Sequence, residues 1–343
     1  MYPDAVYGGR TEAMRLHYKV HENETIQYVD VMSLYHYIFK YFKFPVGHPR
    51  IHVGDACKDI VACLRMEGLI LCTIVPPQTL YFPVLPFRFN KKLMFCLCRT
   101  CVQTSFTGEC PQTEDAERAF SGTWVMDEVR MAGRKGYRIL EIHEVYEYHV
   151  TQYKPETGEG GFFVYYINTF LKPKVEASGY PSWVCSPDDE ELYIETFSMN
   201  EGIRLDRESI KSNAAKRGLA KLCLNSMLGK LTERNDRTKT RVITEPKELY
   251  NFLSVPGVEK TNLAFANDVF WISWKHSAED LVPNLRHINE VIGAYVTAGA
   301  RIHLYRYLDR LGERAIYCDT DSVIYIQPKD LPNLVQTGKN WAT

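Results

Sequence analysis

Tyr317-Cys318-Asp319-Thr320-Asp321-Ser322 places two carboxylates in a turn between two short apolar runs. The flanks Ala315-Ile316-Tyr317 and Val323-Ile324-Tyr325-Ile326 are rich in β-branched and aromatic residues and predict strands. Asp-Thr-Asp-Ser favours a turn, so the acids fall at the tip of a hairpin, where they can reach a hard cation. An ordinary acidic turn is the plain alternative.

A third acid comes from far upstream. In Ile26-Gln27-Tyr28-Val29-Asp30-Val31 an alternating run ends on Asp30, and Ser33 and Leu34 open a helical spacing through Tyr37, Ile38 and Tyr41. Carboxylates gathered from separate strand ends repel one another unless a divalent cation joins them. Phosphoryl transfer by a metal pair roughly 3.5–4 Å apart uses such a cage. Between Ile210 and Lys230 a helical pattern puts Arg217, Lys221, Asn225 and Leu228 on one face. Leu219, Leu222, Cys223 and Met227 are left to pack on the other. Cations and an amide on one face suit a nucleoside triphosphate, and equally describe a solvated basic face.

These three segments resemble, in order, motifs A, B and C of the B-family DNA polymerases. Asp30 to Tyr35 matches Asp-x-x-Ser-Leu-Tyr, Lys221 to Gly229 resembles Lys-x-x-x-Asn-Ser-x-Tyr-Gly apart from Leu228, and Tyr317 to Ser322 resembles motif C. Cys318 in motif C and the Gly8-Gly9 pair ahead of motif A resemble the protein-primed branch of bacteriophages, linear plasmids and Maverick-type elements. The resemblance implies an α+β fold: a right-hand polymerase palm, built on an antiparallel sheet with flanking helices, plus helical fingers and insertions. A complete thumb or exonuclease is not expected, since only 29 residues precede Asp30 and 21 follow Ser322.

The resemblance also implies roles. Asp30 and Asp321, with the Val31 carbonyl, would hold two Mg²⁺ ions, and Asp319 would support them. Ser33, Leu34 and Tyr35 would line the nucleotide site, with the Tyr35 ring excluding a 2′-hydroxyl. Lys221 would hold the triphosphate and Asn225 would order the fingers helix. Arg217 would contact the same phosphates, a role for which Lys211 competes. Gly8, Gly9, Thr320 and Ser322 would meet DNA. The expected partners are a DNA primer-template, deoxynucleoside triphosphates and a terminal-protein primer, with no membrane. The implied reaction is template-directed deoxynucleotidyl transfer to a primer 3′-hydroxyl. The alternative is a catalytically inactive mobile-element remnant that keeps the fold and DNA binding. A reverse transcriptase is disfavoured by the Ser-Leu-Tyr and Lys-x3-Asn-Ser signatures. Three positions depart from the family pattern: His36 stands for Pro, Leu228 for an aromatic residue, and Val6 for the aromatic two residues before Gly8.

Composition sets wider bounds. The 343 residues are 45% hydrophobic and 24% charged, those of an ordinary globular chain with one large or two modest domains. The net charge of −1 hides a local balance of +7 from Arg204 to Lys247, around motif B. Apolar runs such as Leu69 to Val75 are too short to span a bilayer, and Met-Tyr-Pro-Asp opens no signal peptide. The expectation is an intracellular, reducing compartment, nucleus or cytoplasm rather than an organelle.

Ten cysteines without a secretory signal argue for free thiols. Four cluster as Cys96-x-Cys98-x2-Cys101-x8-Cys110, which reads either as a short zinc knuckle or as packed apolar thiols.

The motifs suggest a division into palm (1–55), first insertion (56–203), fingers helix (204–235), second insertion (236–282) and palm again (283–343). Within it, Pro45 to Pro49 predicts a turn and Asp55 to Met66 a short helix. Glu114 to Phe120 predicts a further helix, Tyr137 to Val150 strands and Phe162 to Lys172 a helix. Thr238 to Trp274 reads as strand-rich. Pro283 to Gly312 reads as one long helix, whose Gly293, Ala294, Ala298, Gly299 and Ala300 would either let it lie close against the palm sheet or form a helix-packing surface.

Overall fold

The computed structural model describes residues 2–31, 33–233, 238–277 and 287–335. A short helix α1 (Tyr2–Ala5) and strand β1 (Thr11–Ala13) precede β2 (Glu24–Asp30) and helix α2 (Leu34–Tyr41). Next come β3 (Phe44–Val53), α3 (Ile60–Cys63), β4 (Gly68–Val75), β5 (Pro86–Phe89), β6 (Lys92–Phe95), α4 (Arg99–Gln103) and α5 (Asp115–Arg118). They lead to β7 (Phe120–Val125), α6 (Met126–Arg134), β8 (Arg138–Thr151) and three longer helices, α7 (Val164–Glu176), α8 (Pro187–Glu201) and α9 (Ala214–Leu231). The remainder is β9 (Lys239–Ile243), α10 (Pro246–Leu253), β10 (Val258–Ala266), β11 (Val269–His276), α11 (Glu290–Leu311), β12 (Ala315–Asp319) and β13 (Ser322–Pro328). The described residues fall into two compact units, one running up to Leu228 and resuming at Glu290, the other between Gly229 and Asn289.

In the first unit an antiparallel sheet has the order β1-β12-β13-β2. The hairpin forms where its flanks predict: Asp319 pairs with Ser322, leaving Thr320 and Asp321 as the two-residue turn. Ala315, Cys318, Val323 and Tyr325 are buried in one core with Leu304, Leu308 and Leu311 of α11. That pairing of an apolar sheet face with an apolar helix is what stabilises the layer. At Gly299 the small residues of α11 make the helix-packing contact. A Cβ on Gly299 would lie 2.9 Å from Ile38 Cγ2 and 3.0 Å from Phe42 Cδ1, so this part of the helix presses on α2 rather than on the sheet. The expected start of this helix at Pro283 lies outside the described residues.

A second antiparallel sheet has the order β3-β8-β4-β7. Leu69, Ile70, Cys72 and Ile74 of β4 are buried, as are Phe120 and Trp124 of β7. The turn expected at Pro45 to Pro49 is instead a bulge within β3, whose pairing with β8 breaks between Val46 and Arg50. Gly47 supplies the positive φ of 73° there, and β3 is an edge strand that tolerates proline. The helix expected from Asp55 to Met66 is broken into a 3₁₀ turn (Gly54–Cys57) and α3. Asp59 restarts the helix by accepting a hydrogen bond from Ala62 N at 2.9 Å.

Helices α7, α8 and α9 are tied back to α2 and to one another. Buried Lys40 donates to the Glu201 carbonyl (2.6 Å) and carboxylate (3.2 Å), joining α2 to α8. Tyr166 donates to the Cys223 carbonyl at 2.7 Å, joining α7 to α9. The packed stripe of α9 is Ala220 and Leu224, with Cys223 and Met227 half-buried. Leu219 and Leu222, expected to pack, are each 64% exposed, because they lie roughly a quarter and nearly half a turn off that stripe. The second unit holds the sheet β10-β11-β9 and α10 around Ile243, Leu249, Phe252 and Ile272.

Candidate active site

The two ends of the chain meet at the hairpin tip. Val31 N donates to the Asp321 carbonyl at 2.8 Å, and Asp30 stands opposite Ser322 in the β2–β13 register. Asp30, Val31, Asp321 and Ser322 line one cleft with Leu304 and Tyr307 of α11. Two main-chain kinks make this possible. Thr320 has a φ of 52° in the hairpin turn, and Ser33 has a φ of 66° where the chain leaves β2 for α2.

The acids are not equivalent. Asp319 is exposed and accepts hydrogen bonds from the Thr11 hydroxyl (2.7 Å) and the Thr320 hydroxyl (3.1 Å). Asp30 is exposed, with the Tyr28 hydroxyl 3.3 Å from its carboxylate. Asp321 is half-buried, and burial first, then the charges of Asp30 and Asp319, push its carboxyl above the usual carboxylate range. Mutual repulsion among oxygen donors with a backbone carbonyl beside them is the donor chemistry of a hard divalent cation.

Gly9 seats the turn. A Cβ there would lie 2.5 Å from Thr320 Oγ1 and 2.8 Å from Thr320 Cγ2, and Thr320 N donates to the Arg10 carbonyl at 2.8 Å. Buried Arg301 of α11 fixes the segment from beneath, donating to the carbonyls of Tyr7 (3.0 Å) and Gly8 (2.8 Å) while pairing with Glu128. Although Val6 is not aromatic, the buried ring of Tyr7 stands one position later, with the Arg301 guanidinium 5.6 Å from its centroid.

On the helix side, Tyr35 is half-buried and its phenol is raised, chiefly by burial, with Asp321 and Asp319 adding to the rise. Arg217, Lys221 and Asn225 are exposed and Leu228 is half-buried. Buried Leu34 anchors α2 beneath them. His36 is buried against Leu224 and Asn225, and burial lowers its imidazole to about 4, so it is neutral near pH 7.

Sequence reading missed Lys174. This half-buried side chain of α7 donates to the Ser33 hydroxyl at 2.7 Å, and its ammonium is lowered by burial and then by Lys221 and Arg217. Lys221 and Arg217 of α9 thus lie near enough to act on the lysine that holds Ser33. No local signal marks Lys174, since a lysine after Pro173 near a helix end is unremarkable by spacing alone.

Of the four clustered cysteines, Cys98, Cys101 and Cys110 come together with sulfurs within 4.8 Å of one another. Cys96 falls outside that group, because its thiol is buried in the main core.

Comparison with known proteins places the fold and the family. The chain is 30% identical over 138 residues to the DNA-directed DNA polymerase of Enterobacteria phage PRD1, an overlap of 38% of this chain and 23% of the phage protein. Its fold resembles phi29 DNA polymerase complexed with primer-template DNA and incoming nucleotides, with a TM-score of 0.55 at 16% identity. That match covers 98% of this chain and 44% of the phi29 chain. The binary complex of phi29 polymerase with primer-template DNA gives a TM-score of 0.52 at 17% identity. The chain thus spans less than half the length of each of these relatives. The family described as DNA polymerase type B, organellar and viral, matches residues 4–180, more than half of the sequence. This chain belongs to that family of type B DNA polymerases.

Proposed function

We propose that this chain carries the nucleotidyl-transfer centre of a DNA-directed DNA polymerase. The observation that carries the reading is the convergence of Asp30 and Asp321 from opposite ends of the chain on one cleft, locked by the Val31–Asp321 backbone hydrogen bond. Asp30, Asp321 and the Val31 carbonyl would hold two Mg²⁺ ions. Bound there, magnesium supplies charge neutralisation and orientation for a phosphoryl group. Asp319, held by the Thr11 and Thr320 hydroxyls, adds negative field without entering the cleft lining.

Lys174, Lys221 and Arg217 bind the triphosphate, and Ser33 is oriented toward it by the Lys174 hydrogen bond. The Tyr35 ring closes the space where a ribose 2′-hydroxyl would stand. His36, neutral and buried, supports Asn225 and so orders the helix that presents Lys221. Gly8 and Gly9, with Thr320, meet the primer-template, while Ser322, expected to join them, is buried and donates to the Asp319 carbonyl at 3.2 Å. Catalysis then consists mostly of positioning and charge stabilisation. DNA binding is salt-sensitive, through phosphate contacts. The primer is a terminal protein, and the free cysteines suit a reducing compartment.

Primer extension on a short primed template, with Mg²⁺ and all four deoxynucleotides at low salt, tests this beside an Asp321→Ala control. Extension in the native chain that is lost in the control is expected. No extension by the native chain, with primer-template still bound, would favour instead an inactive remnant or a chain that needs a partner to work.

A further inference from the structure

The cleft at the hairpin leaves the cysteine cluster without a purpose, and the surrounding structure gives it one. Cys98 caps the start of α4, and its sulfur accepts a hydrogen bond from Cys101 N at 3.5 Å. An N–H pointed at the first sulfur of a Cys-x2-Cys pair stabilises a thiolate. Cys101 Sγ lies 3.4 Å from Cys110 Sγ. Tetrahedral zinc with Zn–S bonds near 2.3 Å requires sulfurs roughly 3.8 Å apart, so a spread of up to 4.8 Å closes on an ion with small side-chain rotations.

The chain around Cys110 has little else to fix it. Residues 103–111 are all exposed, including Phe106, so no apolar anchor holds this loop. Its two ends are tied instead. Arg99 donates to the Ala116 carbonyl (3.0 Å) and Thr100 to the Glu117 carbonyl (2.8 Å), while buried Arg118 donates to the Leu97 carbonyl (3.3 Å). Those bonds bring the strands of chain bearing Cys98 and Cys110 side by side and leave three sulfurs facing one point. Cys98 is buried, Cys101 half-buried and Cys110 exposed, so the point opens to solvent on one side.

We propose that Cys98, Cys101 and Cys110 hold a zinc ion through three thiolates, with the fourth position open to solvent. Among the described residues no other histidine, cysteine or carboxylate belongs to the group. Three thiolates select a soft, tetrahedral ion over magnesium. The site staples an otherwise unanchored loop next to β6, whose Leu93 lies 3.7 Å from where a Gly8 Cβ would stand and whose Phe95 ring receives the Arg10 guanidinium at 4.3 Å. Zinc at 98–110 thus stiffens the hairpin that backs Gly8 and Gly9.

The test uses the full chain, purified under reducing conditions without chelator. Elemental analysis is expected to give about one zinc per chain, falling below about a fifth in Cys98→Ser and Cys110→Ser while Cys185→Ala keeps its zinc. Cobalt loading is expected to give a thiolate-to-metal charge-transfer band that Cys110→Ser abolishes. Cys110 is exposed, so that variant keeps its fold, as circular dichroism would verify. Less than about half a zinc per chain with no cobalt–thiolate band would overturn the proposal. So would zinc retained in both serine variants, or a Cys101–Cys110 disulfide in the reduced preparation.

Discussion

The first unit contains two four-stranded antiparallel sheets that spend their residues in opposite ways. The sheet β3-β8-β4-β7 is built for packing. Leu69, Ile70, Cys72, Ile74 and Trp124 are buried, and the Trp124 indole donates to the Pro86 carbonyl at 2.9 Å. The sheet β1-β12-β13-β2 packs one face on α11 and leaves Ile26 and Tyr28 of β2 exposed, at 45% and 62%. Its strand ends hold acids that repel one another. Close packing stabilises the first arrangement, whereas the second gathers charges that only an added cation would stabilise, which is why the proposed function rests on it.

Breaking each sheet should therefore give opposite phenotypes. Asp321→Ala is expected to lower single-turnover nucleotide incorporation by at least about 10³-fold, or about 4 kcal/mol, with no loss of melting temperature. Trp124→Ala should do the reverse. It removes a fully buried ring and is expected to cost about 3–4 kcal/mol in urea unfolding, while the folded fraction still extends primers at the native rate. Loss of stability in the first variant with loss of rate in the second would erase the distinction between the sheets.

A smaller effect sharpens the nucleotide side. Lys174→Ala removes one of three cations and the hydrogen bond to Ser33, and should raise KM for deoxynucleotides about tenfold, or about 1.4 kcal/mol. Lys174→Arg should recover most of it, whereas an unchanged KM would remove Lys174 from the site.

The smallest effect is a pH dependence. The carboxyl of Asp321 is raised by burial and by Asp30 and Asp319, so the folded protein holds that proton more tightly than the unfolded chain does. Between the ordinary carboxylate pKa and the raised one, stability from this group falls as pH rises. Without divalent cations, the melting temperature of the native chain relative to Asp321→Asn should therefore decline across that window. Added Mg²⁺ should flatten the decline, and a difference that rises with pH would contradict the electrostatic account.

Much of the site was legible because its pieces are local. The acidic tip between β-branched runs, the strand ending on Asp30 and the basic helix face each follow from spacing within one element, and the structure forms the hairpin, strand and helix there. The misreadings share a cause. Pro45 to Pro49 looked like a turn because proline and glycine cluster, yet an edge strand absorbs them as a bulge. Leu219 and Leu222 looked packed because they are apolar, yet α9 buries Ala220 and Leu224. Cys96 looked like a fourth thiolate because of its spacing, yet the core claims it.

The sequence by itself determined which residue types could do this chemistry: three acids, a basic helix face, two glycines before them and a run of cysteines. Period and turn preference are short-range properties, so residues a few positions apart suffice to reveal them. The tertiary structure alone decided which groups meet. It brought Asp30 to Asp321, set Thr320 on Gly9, placed Lys174 beside Lys221 and Arg217, and separated Cys96 from the other three thiols. Such pairings depend on how helices α2, α7 and α11 pack, and packing is settled by shape and burial summed over the whole unit, which no local stretch encodes.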